Sequence, residues 1–153
     1  MFGKYIFEPM RSHLRIHVTL SWFTVDNILI PINVKERLHC VLIVVCFNKC
    51  CIMVYDSLRN AIHNSYVLIE IKNICTTYTD KGLDVLSHPK YRFRIDFDSF
   101  DIVYVNDIPQ QPQGSMDYGV YISAYAEFLG DGNGILAGPF DPYFMLSRYV
   151  TLL

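Results

Sequence analysis

The chain has 153 residues, 52% of them hydrophobic and 14% aromatic, which is enough for one domain with a buried core and excludes a disordered protein. Its 13 basic and 15 acidic residues give a formal net charge of -2, so charge offers no attraction to nucleic acid or to an anionic membrane. The longest apolar run, residues 41–47, is too short to cross a bilayer, and residues 1–10 lack the apolar core of a secretion signal. These features predict an intracellular protein of the nucleus or cytoplasm, with neither nucleic acid nor a membrane as partner.

The cysteines argue against a disulfide framework. They number five and all lie in the first half of the chain, at positions 40, 46, 50, 51 and 75. An odd number in this distribution is typical of a reducing compartment. A zinc site would have to combine His39 or Cys40 with the next three cysteines, but these contain no Cys-x-x-Cys pair, and a strand would turn some of them to opposite faces. Buried, inert thiols are therefore favoured, His13 and His17 are interpreted as surface histidines, and no metal or cofactor is predicted.

The first predicted strand covers residues 25–32, a run rich in β-branched side chains. Pro31 and Asn33 are typical of a turn, so we expect the strand to end there. Trp22, just before the strand, is interpreted as a core anchor. A charged connector follows at residues 34–38.

A hairpin is predicted next. Residues 40–47 form a continuous apolar run of the kind that is covered on both faces, and residues 50–55 return after a tight turn at 48–49. His39 opens the first strand and Asp56 ends its antiparallel partner. Because a hairpin brings these two ends together, the imidazole and the carboxylate are expected to form a hydrogen bond at the edge of the sheet.

The remaining elements alternate between helix, loop and strand. Apolar residues at helical spacing within 57–78 predict a helix packed over the sheet, with Lys72 and Asn73 on its outer side. Residues 79–97 are predicted to form a loop. A strand is predicted at residues 99–105, with Phe100, Ile102 and Tyr104 on one face. A helix at residues 119–129, with Val120, Ala124 and Phe128 on one side, and a final short helix within residues 139–153 complete the chain.

The polar segment at residues 109–120 lies between two apolar elements and is the candidate functional loop. Pro109 and Pro112 restrict the backbone around its two adjacent glutamines. Asp117 is the expected N-cap of the following helix, so Tyr118 lies where free N–H groups and the helix dipole favour negative charge. A thiol at this position would lose its proton easily and act as a nucleophile, but the sequence has a tyrosine here.

With these residues in view, the chain resembles the cysteine peptidases that process ubiquitin-like modifiers such as SUMO, and the plant and transposon-associated branch in particular. The matching residues are Trp22, residues 25–33 (Val-Asp-Asn-Ile-Leu-Ile-Pro-Ile-Asn), His39, residues 54–58 (Val-Tyr-Asp-Ser-Leu), residues 109–112 (Pro-Gln-Gln-Pro) and residues 117–121 (Asp-Tyr-Gly-Val-Tyr). The resemblance implies an α+β, papain-like fold of the ubiquitin-like protease type, with a central, mostly antiparallel sheet flanked by helices. It also implies that residues 1–153 form a single catalytic-type domain, shortened at the N-terminus.

The resemblance further implies the role of each site residue. His39 corresponds to the general base, Asp56 to the residue that orients it, and Gln111 to the donor of the oxyanion hole. Tyr118 occupies the position of the nucleophilic cysteine. Cys40 stands where the family usually has a tryptophan, and the segment from Gln111 to Tyr118 is one residue longer than is usual.

Three functions remain open at this stage. The first is a protease domain for a SUMO-type modifier that binds the modifier or its conjugates but has lost peptidase activity through Tyr118, or persists only as a gene remnant. The second is a working thiol peptidase with relaxed requirements. The third is a protein-interaction module with no modifier partner. Without the family context, His39 and Asp56 would be read as an ordinary pair at a strand end and Tyr118 as a packed aromatic residue.

Overall fold

The computed structural model describes residues 5–7, 25–34, 39–59, 61–80, 100–135 and 138–151. Its core is a five-stranded sheet whose strands lie side by side in chain order, from β1 to β5. The elements are β1 (Tyr5–Phe7), β2 (Asn27–Val34), β3 (His39–Cys46), β4 (Cys51–Tyr55), α1 (Ala61–Asp80), β5 (Asp101–Tyr104), α2 (Tyr118–Gly130) and α3 (Pro142–Thr151). No helix within these described ranges is long and apolar enough to cross a membrane.

The centre of the sheet is antiparallel. β2, β3 and β4 pair in antiparallel fashion, whereas β1 and β5 run parallel to β2 and β4. The β3–β4 hairpin closes at the directly opposed pair Cys46 and Cys51, and its turn at residues 47–50 includes Cys50 with a φ of 50°. The predicted hairpin and the predicted α+β class are confirmed.

Alternating side chains on the central strands build two apolar clusters on opposite faces of the sheet. The cluster under α1 contains Val41 and Ile43 of β3 together with Val67 and Ile71 of the helix. The cluster under α2 consists of residues from β2, β3, β4 and the helix, including Leu29, Cys40, Leu42, Val44, Tyr55, Tyr121 and Tyr125. β3 is therefore covered on both faces, which explains its uninterrupted apolar sequence.

The predicted end of the first strand was wrong. β2 continues through Pro31 and Asn33 to Val34, and Pro31 lies directly opposite Leu42 of β3. Within the described residues, β1 pairs with β2 only as far as Leu29. A proline has no backbone N–H to donate. It is therefore tolerated in a strand where no neighbouring strand needs that donor.

Helix α1 begins later than predicted because the chain first makes a turn. The N–H of Leu58 donates to Oδ1 of Asp56 at 2.8 Å, and the helix starts at Ala61. The helix then runs to Asp80, into the segment predicted as loop. Val67 and Ile71 are buried while Lys72 and Asn73 are exposed, so the predicted packing face is confirmed there. The predictions made for residues 13, 17, 22, 35–38 and 81–97 fall outside the residues that the structure describes.

The last three elements form where expected, but the buried face of α2 differs from the prediction. Phe100, Ile102 and Tyr104 share the α1 face of the sheet as predicted. In α2 the buried side chains are Tyr121, Ile122, Ala124 and Tyr125. Of the three residues predicted to share one side of the helix, Ala124 is buried but Phe128 is 36% exposed. The helix is apolar around most of its circumference, so its apolar spacing alone did not define the buried side.

Candidate active site

The site is built first from the two ends of the β3–β4 hairpin. His39 is the first residue of β3, and Asp56 directly follows the last residue of β4. Nε2 of His39 lies 2.7 Å from Oδ1 of Asp56, and the two side chains are only 2% and 1% exposed. The hydrogen bond expected from the hairpin is therefore present. Pairing is what allows two such polar groups to be buried.

The bonds of Asp56 determine how the imidazole can act. Oδ1 of Asp56 accepts one hydrogen bond from His39 and another from the N–H of Leu58. The backbone carbonyl of Asp56 accepts a third from Nε2 of Gln110, at 3.0 Å. A carboxylate can only accept a hydrogen bond, so in the pair with Asp56 the ring hydrogen of a neutral His39 lies on Nε2 and Nδ1 is the acceptor nitrogen. This is the arrangement in which an imidazole serves as a general base.

Tyr118 approaches the same imidazole from the opposite side of the sheet. It is the first residue of α2, and its ring meets the His39 ring edge-on, with the ring centroids 5.8 Å apart and the planes at 79°. Strand alternation places His39 on the face of Val41, under α1, whereas Tyr118 packs against the cluster under α2. The two rings therefore meet at the end of the sheet, where β3 begins and α2 begins.

Gln111 is held between the two halves of the site. Its Oε1 accepts a hydrogen bond from the hydroxyl of Ser57 at 2.9 Å, and its Nε2 donates to the carbonyl of Ser115 at 3.0 Å. The backbone N–H of Gln111 also donates to the Ser57 carbonyl at 2.8 Å. Ser57 follows Asp56, and Ser115 lies three residues before Tyr118. The buried amide thus fixes the loop to the strand that carries Asp56, and its role as an oxyanion donor stays a prediction.

Two tyrosines of α2 hold the beginning of the same loop. The hydroxyl of Tyr125 donates to the carbonyl of Pro109, and the hydroxyl of Tyr121 donates to the carbonyl of Gln110 at 3.3 Å. Burial raises the pKa of both phenols above the ordinary value, so both keep the proton that these hydrogen bonds require. The four-residue spacing puts the two hydroxyls on one side of the helix.

Asp117 is the N-cap residue of α2, as predicted, but its side chain makes no capping hydrogen bond. Its backbone carbonyl accepts from the N–H groups of Val120 and Tyr121. The carboxylate instead accepts from the hydroxyl of Ser115 at 2.5 Å, and that hydroxyl accepts from the Asp117 N–H at 3.1 Å. The Asp117 side chain therefore stabilises the turn in front of α2. It does not cap the N–H groups in the first turn of the helix.

Cys40, the residue after His39, is not arranged as a nucleophile. It is buried in the cluster under α2, and burial raises the pKa of its thiol. A thiol in such surroundings stays protonated and unreactive at neutral pH. In the part of the chain that the structure describes, no three side chains among His, Cys, Asp and Glu are placed to hold a metal ion.

The sequence matches a known family over most of its length. The pattern of the Ulp1 protease family, C-terminal catalytic domain, covers residues 5–133. The chain belongs to this family. The match includes every predicted site residue and ends before α3. Assignment to the plant or transposon-associated branch, the single-domain boundaries and the intracellular location stay predictions.

Solved structures of Ulp1 share the fold. The SUMO protease Ulp1 with its catalytic cysteine oxidised to a sulfonic acid has 23% sequence identity and a TM-score of 0.55, over 86% of this chain and 54% of that one. The C-terminal Ulp1 protease domain in complex with Smt3, the yeast ortholog of SUMO, has 23% identity and a TM-score of 0.54, over 86% of this chain and 53% of that one. This chain therefore spans about half the length of these structures. No curated protein matches the sequence.

Sequence reasoning named the four side chains that the structure brings together but missed those that hold them. His39, Asp56 and Tyr118 converge directly, and Gln111 joins them through Ser57 and Ser115. Ser57 could have been found, because it lies beside Asp56 in the matching Val-Tyr-Asp-Ser-Leu segment. The spacing of Tyr121 and Tyr125 was visible too, but nothing in the sequence indicated that their hydroxyls bind the loop.

Proposed function

We propose that this chain is a Ulp1-family protease domain that binds a ubiquitin-like modifier of the SUMO type, or its conjugates, without cleaving it. The observation that carries the proposal is the Tyr118 ring edge-on to His39 at the start of α2. By resemblance to the family, position 118 is that of the cysteine nucleophile. A base, its carboxylate partner and a braced glutamine are retained around a residue that cannot do the nucleophile's work.

The chemistry of a phenol supports the loss of cleavage. In a cysteine peptidase the thiolate attacks the carbonyl carbon, forms an acyl-enzyme and is then released by water. A phenol is bulkier than a thiol and is a much weaker nucleophile at neutral pH. Removing the nucleophile from a catalytic triad costs on the order of a millionfold in rate. Cys40 offers no substitute, because its buried thiol belongs to the cluster under α2.

Modifier binding is supported by what the scaffold preserves. The loop from Pro109 to Tyr118 is anchored to β4 through Gln111 and to α2 through Tyr121 and Tyr125. The related Ulp1 protease domain was crystallised with Smt3, the yeast ortholog of SUMO. A loop that is held in place without a thiol at position 118 supports binding of a modifier tail beside it. No cofactor or metal is needed for this function.

The test uses the purified full chain and a SUMO-type modifier that carries a C-terminal electrophile. We expect the wild-type protein to bind it reversibly, with no covalent product. Tyr118→Cys should form a covalent product and hydrolyse a fluorogenic modifier substrate, because His39 and Asp56 are already paired. Tyr118→Ala is the matched control, since it removes the ring without supplying a thiol. The double variant Tyr118→Cys with His39→Ala should lose most of the restored reactivity.

Each alternative has its own outcome. Covalent capture by the wild-type chain would favour a working thiol peptidase. Absence of binding by folded wild-type protein would favour an interaction module, or a gene remnant, without a modifier partner. A folded Tyr118→Cys variant that binds the modifier but shows no reaction above buffer would contradict the inherited site.

A further inference from the structure

We propose that Cys46 and Cys51 are an oxidisable thiol pair that closes into a disulfide across the β3–β4 hairpin. The two residues are directly opposed in the antiparallel register, at the last pair before the turn. Both are free thiols in this structure, and both are buried, at 5% and 7% exposure. The pair lies at the opposite end of the hairpin from His39 and Asp56, so it is a separate site.

The strand register places the two residues within the backbone distance that a disulfide spans. Directly opposed residues in an antiparallel pair have Cα atoms about 4.5 to 5.5 Å apart, and disulfides span Cα distances of about 4.4 to 6.8 Å. Because the side chains of an opposed pair leave the same face of the sheet, the two sulfurs point to the same side. The bridge therefore requires no change of register.

Neighbouring strands hold this end of the hairpin in place. The N–H of Phe47 donates to the carbonyl of Asp26 at 3.1 Å, and the N–H of Asp101 donates to the carbonyl of Cys50 at 3.3 Å. The side chain of Asn48 also donates to the Asp26 carboxylate at 3.1 Å. Because the turn is tied to β2 on one side and to β5 on the other, the two thiols stay close together.

The third thiol at the turn provides a matched control. Cys50 is half-buried, and its Sγ donates to the carbonyl of Phe47 at 3.5 Å. It packs with the cluster under α1, whereas strand alternation places Cys46 and Cys51 on the α2 face. Cys46 and Cys51 are both buried, and neither belongs to the two apolar clusters described above. The geometry favours Cys46 over Cys50 as the partner of Cys51.

The oxidant that the reaction requires is a small-molecule disulfide, such as oxidised glutathione. One protein thiolate attacks a sulfur of the oxidant, forms a mixed disulfide and expels one glutathione thiolate, which takes up a proton. The second protein thiolate attacks the protein sulfur of that mixed disulfide and expels the other glutathione thiolate. Two protein thiols lose two hydrogens in all, and one glutathione disulfide becomes two thiols.

The charges around the pair indicate how pH affects the rate. Burial raises the pKa of the Cys51 thiol most strongly, and Cys46 and Asp101 raise it further, while Lys49 lowers it. At neutral pH the thiolate fraction is therefore small and the oxidation is slow. Raising the pH should accelerate the reaction, by up to about tenfold per unit below the thiol pKa.

In the experiment the 153-residue chain is incubated with oxidised glutathione, the remaining thiols are blocked, and the tryptic peptides are mapped without reduction. Trypsin cuts after Lys49, so a bridge between Cys46 and Cys51 joins two peptides that fragmentation can assign. We expect this link in the wild type and in Cys50→Ser. Cys46→Ser should lose it and carry glutathione instead. No link in oxidised wild-type protein, or a link through Cys40, Cys50 or Cys75, would overturn the proposal whether or not the variants fold.

Discussion

The imidazole of His39 and the carboxylate of Asp56 lie 2.7 Å apart, almost without solvent contact, although 17 positions separate them in the chain. The bond spans the open end of the hairpin, and Oδ2 of Asp56 is buried with no hydrogen bond to any described residue. A group that replaces this oxygen would therefore have no hydrogen-bond partner among the described residues.

Asp56→Asn tests this arrangement. The amide oxygen can still accept the hydrogen bonds from His39 and Leu58. The NH₂ group, however, would replace Oδ2, which has no hydrogen bond to a described residue. A buried donor without a partner costs about 1–3 kcal/mol, and we expect a loss of that size in the free energy of unfolding, measured by urea denaturation. Asp107→Asn, at an exposed position, is the control and should change stability by less than about 0.5 kcal/mol. Equal losses would contradict the assignment.

Ser57→Ala addresses the bond that positions Gln111. The substitution removes the only hydroxyl that donates to Oε1 of Gln111 within the described residues. Because this amide is 5% exposed, the oxygen would be buried without a donor, at a cost of about 1–3 kcal/mol. Ser123→Ala is matched to it, since that exposed hydroxyl only donates to the Gly119 carbonyl within the same helix. Similar stability of the two variants would show that Gln111 does not depend on Ser57.

Tyr125→Phe should change both the neutral stability and its alkaline limit. Loss of the bond to Pro109 should cost about 1 kcal/mol at neutral pH. Burial raises the pKa of Tyr125 above its ordinary value of 10.0, so above that pH the unfolded chain loses this proton first. The wild type therefore loses stability as the pH rises beyond about 10, and the variant should lose less.

Thermal unfolding between neutral pH and pH 11 measures both effects. Tyr143→Phe is the control, because Tyr143 is 77% exposed. Its alkaline profile should match that of the wild type. An unchanged profile in Tyr125→Phe would assign the alkaline loss to other groups, such as Tyr121 or Tyr149, whose pKa values are also raised.

Glu127 connects α2 to α3. Its carboxylate accepts from the guanidinium of Arg148 and from the hydroxyl of Tyr149, the latter at 3.0 Å. Both the arginine and the glutamate are partly exposed, so the pair contributes little to global stability. We expect Glu127→Gln to leave the unfolding midpoint nearly unchanged but to speed amide hydrogen exchange in α3 by about two- to fivefold. Glu70→Gln on α1 is the control, and equal exchange in both variants would contradict this connection.

The sequence predicted the structure best where the residue pattern of an element was compatible with only one environment. The apolar run of β3 and its return through β4 predicted the hairpin, and the hairpin predicted that His39 meets Asp56. It was least informative for α2, where apolar residues surround the helix, and the tyrosine hydroxyls bind carbonyls of a loop that no local pattern reveals. The end of the first strand was predicted wrongly at Pro31 for a related reason, because whether a strand tolerates proline depends on its neighbours in the sheet.

The loop from Pro109 to Tyr118 is joined by hydrogen bonds to Asp56, Ser57, Tyr121 and Tyr125, others lie within the loop, and none of these bonds uses the phenol of Tyr118. The bonds that hold the loop are therefore independent of the hydroxyl group at position 118. In the genetic code a tyrosine codon and a cysteine codon differ by a single base. A mutation at this one codon could therefore exchange the two residues while leaving the hydrogen bonds of the loop in place, so the proposed loss of peptidase chemistry would be reversible without rebuilding the scaffold.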